Sequence, residues 1–179
     1  MKTKTLDKLQ YILPLVVLIL FSCQLAWDYH HDGIPRHYLL HDPNLPSFSN
    51  WWGLLTVPLV SFFLIYRSRQ RIHKNNWQLV PYESRLLFIL GLIVAVSFSI
   101  GFNQDWAYLH YFALSLIVAS LFIPLYKSEF LVGFIIGMVF TFGAVLPIII
   151  GIVYAALFAL CYLVIRKGMT WLVRKPEKI

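Results

Sequence analysis

Residues 130–165 form a run of 36 without one charged or histidine side chain. No water-facing surface can be made from such a stretch, and lipid is the solvent that suits it. A spanning helix takes about 20 mostly apolar residues, so the run is too long for one crossing and about right for two. The break belongs within residues 142–147, where Gly143 can take a positive φ and Pro147 disfavours helix at Leu146. Of all 179 residues, 59% are hydrophobic and 13% charged, whereas soluble domains carry about 25% charged residues. That balance excludes an ordinary soluble enzyme, a disordered chain and, despite a net charge of +7, a nucleic-acid binder.

Four more apolar segments precede the long run. The expected fold is an all-α integral membrane protein, one domain over residues 1–179. Its six transmembrane helices are expected near 9–27, 51–66, 86–102, 108–126, 130–145 and 147–165. Lysine and arginine in short loops set orientation. With both termini cytoplasmic, the inner side collects every one of the 15 basic residues except Arg36. The basic excess then serves insertion and contact with anionic headgroups, including the RSRQRIHK run of residues 67–74. The implied location is the cell (inner) membrane. Lys2, Lys4 and Lys8 before an apolar run also suit a signal peptide. Phe21 is bulky for a cleavage box, so a retained helix is expected. Cys23 and Cys161 fall at depths about 15 Å apart on helices of 1.5 Å rise per residue, too far for a disulfide.

Small residues recur at four-residue spacing in three helices: Gly91, Ala95 and Ser99; Gly133, Gly137 and Thr141; Gly151, Ala155 and Ala159. In lipid such faces allow close helix approach, so helices three, five and six are expected to pack together, or one face to serve a homo-oligomer. Trp27, Trp51, Trp52 and Trp106 fall at one membrane boundary, and Trp77 and Trp171 at the other, as an aromatic belt.

The polar residues concentrate in the first outer loop, residues 28–50. Between Asp28 and Asp42 lie His30, His31, His37, His41 and Asp32 as well. A short interfacial helix from Pro35 to about His41 would put His37 and His41 on one face, close enough to share a metal. Asn50 would cap helix two, and Asp105 in the second outer loop would cap helix four. His110 then lies at or below the headgroups, where an ionisable group points to function. Histidine with carboxylate suits a divalent metal, zinc above all. The candidate ligands are His31, His37, His41 and His110, with Asp32, Asp42 and Asp105 as candidate catalytic carboxylates.

The His37-x3-His41 pair on a helical bundle resembles the ceramidase-like membrane hydrolases. That family's Ser-x3-His and late His-x3-His pairs are absent here, so no residue role carries over. The expected function is a metal-dependent membrane hydrolase with its site on the non-cytoplasmic side, acting on a lipid-like or amphipathic substrate. Membrane lipids are the expected surroundings. The alternatives are a non-catalytic subunit or assembly factor that docks a partner through the outer loop, and a small transporter. Almost no charge inside the helices, and no inverted repeat between residues 1–85 and 86–179, weigh against transport.

Overall fold

The computed structural model describes residues 2–31, 33–38, 44, 46–74, 80–166 and 168. Among them are six α-helices and one small hairpin. In chain order these are α1 (Lys2–His31), β1 (Arg36–Tyr38), β2 (Ser47–Ser49), α2 (Gly53–Lys74), α3 (Val80–Asn103), α4 (Leu109–Ala119), α5 (Ser128–Phe142) and α6 (Val145–Ala159). A π-helical segment, Leu160–Ile165, carries α6 onward. Four stretches are long and apolar enough to cross a membrane: Gln10–His31, Asn50–Arg71, Tyr82–Asn103 and Val145–Ile165. Their composition leaves large apolar side chains such as Ile19, Leu55, Ile93 and Ile152 on the outside. This is a membrane protein.

The core is organised around α5. Its Phe130, Phe134 and Met138 pack with α3, α4 and α6, while Ile135 and Val139 pack with α1 and α2. A helix apolar on every side is one that neighbours surround. The tightest of its interfaces is with α3. A Cβ placed on Gly91 would fall on the Phe130 carbonyl oxygen and 3.0 Å from the Phe134 nitrogen. One placed on Gly133 would fall on the Phe88 carbonyl oxygen and 2.9 Å from the Leu92 nitrogen, and one on Gly137 would stand 2.7 Å from the Ala95 Cβ. Backbone therefore meets backbone, as the two small-residue faces imply. The face of α6 is looser: a Cβ on Gly151 would reach only ordinary contact with the Ile135 side chain at 3.5 Å.

Three expected local structures are corrected. Residues 36–38 are extended, not helical: Arg36, His37 and Tyr38 pair antiparallel with Ser49, Phe48 and Ser47. Gly33, at φ 81°, closes α1 by donating its N–H to the Asp28 carbonyl, and Pro35 then leads the chain into a strand. The fourth helix stops at Ala119 rather than near residue 126, because Pro124 has no N–H for the Ser120 carbonyl and its ring clashes with it. Turns fill residues 120–127, with Ser120 and Leu125 fully buried. The expected caps also differ. Ser49, not Asn50, opens the 3₁₀ turn Asn50–Trp52 before α2, its hydroxyl accepting from the Trp51 N–H. Tyr108 takes the position before α4 that was expected of Asp105.

The break between the last two helices falls where the sequence puts it. Gly143 sits at φ 70° and ψ −172°, a region that essentially only glycine occupies. The connections between the six helices then sort to two ends. One end carries the hairpin, the α3–α4 turn and the α5–α6 turn. The other carries the end of α2, the start of α3 and the α4–α5 turns, and it is rich in basic residues.

Candidate functional site

At the hairpin end a cavity of about 630 Å³ opens between α3, α4, α5 and α6, with strand β1 over it. That is an ordinary size for a small-molecule site. Its walls are apolar: Phe98 and Phe102 from α3, Leu109 from α4, Phe142 from α5, Leu146 and Ile149 from α6. Phe102 and Phe142 meet edge to face with centroids 4.7 Å apart. Polar groups enter from three directions, as His37 and Tyr38 on β1, His110 on the first turn of α4, and Thr141 on α5.

The α5–α6 turn holds the hairpin in place. Without a Cβ, Gly143 lets two side chains lie directly over its backbone, the Asn50 carboxamide and the His37 imidazole. Asn50 is buried and takes the Pro35 carbonyl with its backbone N–H at 3.2 Å. The glycine that bends the chain thus also seats His37 against the bundle.

Of the expected metal ligands, His37 and His110 both line this cavity, one from β1 and one from α4, although 73 residues separate them in sequence. His31 does not join them. It ends α1 exposed, its Nδ1 2.9 Å from the Trp27 carbonyl and its ring stacked on Trp27 at 4.0 Å. Asp105 is exposed in the α3–α4 turn at φ 51° and does not line the cavity. Asp32, His41 and Asp42 lie outside the described residues. Among the described residues, no three histidine, cysteine, aspartate or glutamate side chains gather as a metal would need. Zinc takes four ligands in structural sites and usually three from protein in catalytic ones. His37 and His110 alone do not complete such a set, so no step is derived through a metal.

The basic end holds a polar network that the sequence pattern did not reveal. Glu129, in the first turn of α5, is 6% exposed, and its Oε1 accepts from Arg71 Nη2 at 2.5 Å and from the Ser84 hydroxyl at 3.1 Å. This ties α2, α3 and α5 together. Arg69 donates to the buried Gln10 at 2.6 Å, tying α2 to α1, and the Ser68 and Ser128 hydroxyls meet at 3.0 Å. The Lys127 ammonium lies 3.8 Å from Glu83. Burial, and then the Arg71 charge, lower the Lys127 pKa below the ordinary lysine value, against the opposing pull of Glu83 and Glu129. A carboxylate at a helix start reads in sequence as loop or cap. Only the placement of α2 beside α5 makes it a buried partner.

No family model, curated protein or solved structure matches this chain.

Proposed function

We propose that this is a six-crossing protein of the cell membrane, with both termini cytoplasmic and the hairpin end outside, that binds a lipid-like or amphipathic molecule in the hairpin-end cavity. The basic bias supports the orientation, since Arg36 is the one basic residue that this topology leaves outside. At 11 and 15 residues, α4 and α5 are shorter than a full crossing needs. Protein surrounds α5, and the turns after α4 bury Ser120 and Leu125. Irregular backbone at membrane depth is tolerated where protein covers it.

The observation that carries the reading is the make-up of the cavity: aromatic and aliphatic walls with His37 and His110 among the lining residues. The walls suit an acyl or isoprenoid-like chain, which loses nothing by leaving lipid for an apolar slot. The imidazoles hydrogen-bond a polar head and can take or give a proton there. Hydrolysis with a metal, expected from the histidine- and aspartate-rich first outer loop, is the second reading.

A single-chain phospholipid bearing a photoreactive diazirine on its acyl tail tests the first reading on the full chain in nanodiscs. Label is expected on peptides containing Phe98, Phe102, Leu109 and Ile149. It should fall about tenfold in His37→Ala and His110→Ala, with Leu114 and Val118 as the background of general lipid contact. Equal labelling of the lipid-facing and cavity peptides would refute the site. Elemental analysis of the same samples decides the second reading. Stoichiometric metal lost in both histidine variants supports hydrolysis, and equal metal content in parent and variants removes it.

A further inference from the structure

The basic end has a second cavity, of about 650 Å³, between α2, the α4–α5 turns and α6. Two halves of different chemistry make it up. One half presents Arg67, Arg71 and Lys74 from α2 and Lys127 from the turns, with Gln70 and Ser128 between them. Positions 67, 71 and 74 follow each other at four and three residues, so their side chains stand on one helix face. The other half is apolar, made by Leu64, Leu131, Ala155, Ala159 and Leu163.

Among the described residues that line it there are four cations and no carboxylate. The nearest acids are already engaged, Glu129 by Arg71 and Ser84, and Glu83 by Lys127. Arg71 spends only Nη2 on these partners. Its Nε and Nη1 are buried and have no hydrogen-bond partner among the described residues. Buried guanidinium donors without an acceptor are costly, and a charged oxyanion is a strong acceptor for such donors. The start of α5 adds uncapped backbone N–H groups at the same place, with no side chain capping from Lys127.

From this juxtaposition of a cationic half, unsatisfied arginine donors and an apolar half, we infer that the cavity binds an anionic phospholipid, with the phosphate between Arg67, Arg71, Lys74 and Lys127 and an acyl chain along α6. The apolar half distinguishes a lipid from free phosphate, which has no use for it. Leu163, exposed on the outside of α6, gives the chain a way out to the bilayer. Burial first, and then the Arg71 charge, depress the Lys127 pKa, and a bound phosphate would oppose both. The site needs only that the chain lies in a membrane. It stands whether or not the hairpin-end cavity binds anything.

Native mass spectrometry of the full chain in detergent tests it, with dioleoyl phosphatidic acid, dioleoyl phosphatidylcholine or inorganic phosphate added. One phosphatidic acid per chain should be retained, at least tenfold more tightly than phosphatidylcholine. Arg67→Gln/Lys74→Gln should weaken it at least tenfold, and neither side chain belongs to the Arg71–Glu129 network. Ala159→Phe should weaken it with every cation still present. The charge-matched pair Lys8→Gln/Arg166→Gln, at the same end but outside the cavity, should change it less than twofold. Phosphatidylcholine binding as well as phosphatidic acid, or equal binding by parent and cavity variants, would overturn the proposal. Inorganic phosphate that binds alone and displaces the lipid would overturn the lipid as occupant, leaving a soluble phosphate site.

Discussion

Gly133→Leu is expected to be among the most damaging single substitutions in the bundle. Even a methyl group at this position would fall on the Phe88 carbonyl oxygen of α3. Backbone cannot rotate away as a side chain does, so α3 and α5 must separate along their whole contact. Overpacking a core costs roughly 1–3 kcal/mol when side chains can adjust, and here they cannot, so about 3 kcal/mol or more is expected. At roughly 2–4 °C per kcal/mol for a chain of this size, the melting temperature in detergent should fall by about 10 °C, or the monodisperse peak be lost. Gly151→Ala is the matched control. Its new methyl would stand 3.5 Å from the Ile135 side chain, and alanine suits a helix interior better than glycine by roughly 0.5–1 kcal/mol. It should melt at or above the parent. Equal melting of Gly133→Leu and parent would mean that α3 and α5 do not approach so closely.

Glu129→Ala should be nearly as costly, for an electrostatic reason. It leaves the Arg71 guanidinium, whose side chain is 24% exposed, without its only carboxylate partner among the described residues. Breaking a buried pair by removing one member costs about 3–5 kcal/mol, and the partial exposure of Arg71 places this case at the lower end. Arg71→Met/Glu129→Leu removes both charges and should recover most of the loss, because replacing a buried pair with apolar groups is often neutral. Thermal melts of parent, both single variants and the double variant form a cycle. A double variant as unstable as the sum of the singles would show that the two side chains are not coupled.

How much of this was legible in the sequence depended on the range over which each signal acts. Gly143 marks the α5–α6 break because φ preference is a property of the residue itself, whereas Leu146, expected to leave the helix before Pro147, is helical, with Pro147 in the first turn of α6. The glycines of α3 and α5 mark their interface because a face without side chains has no other use in lipid. The short helix expected over residues 35–41 failed because helix and strand compete closely in seven residues, and the pairing of β1 with β2 decided between them. Pro124 was a local stop signal inside an apolar run, and hydropathy alone passed over it. His37 and His110 were both singled out from sequence, but by an expected helix and by depth, not by what joins them. Both line the cavity because Gly143 seats His37 over the bundle and the start of α4 brings His110 to the same end. The partnership of Arg71 with Glu129 was not legible, since 58 residues separate two charges that each looked like ordinary flanking residues.

The central claim is that the hairpin end and the basic end face opposite sides of the membrane, and cysteine accessibility tests it most directly. In a Cys23→Ser/Cys161→Ala background, single cysteines at Asn44, Gln104, Lys74 and Gly168 are exposed to a membrane-impermeant maleimide. Those at positions 44 and 104 should react in intact cells. Those at 74 and 168 should react only after the membrane is opened. Labelling of position 74 or 168 from outside, or protection of position 44 or 104 in intact cells, would contradict the six-crossing topology.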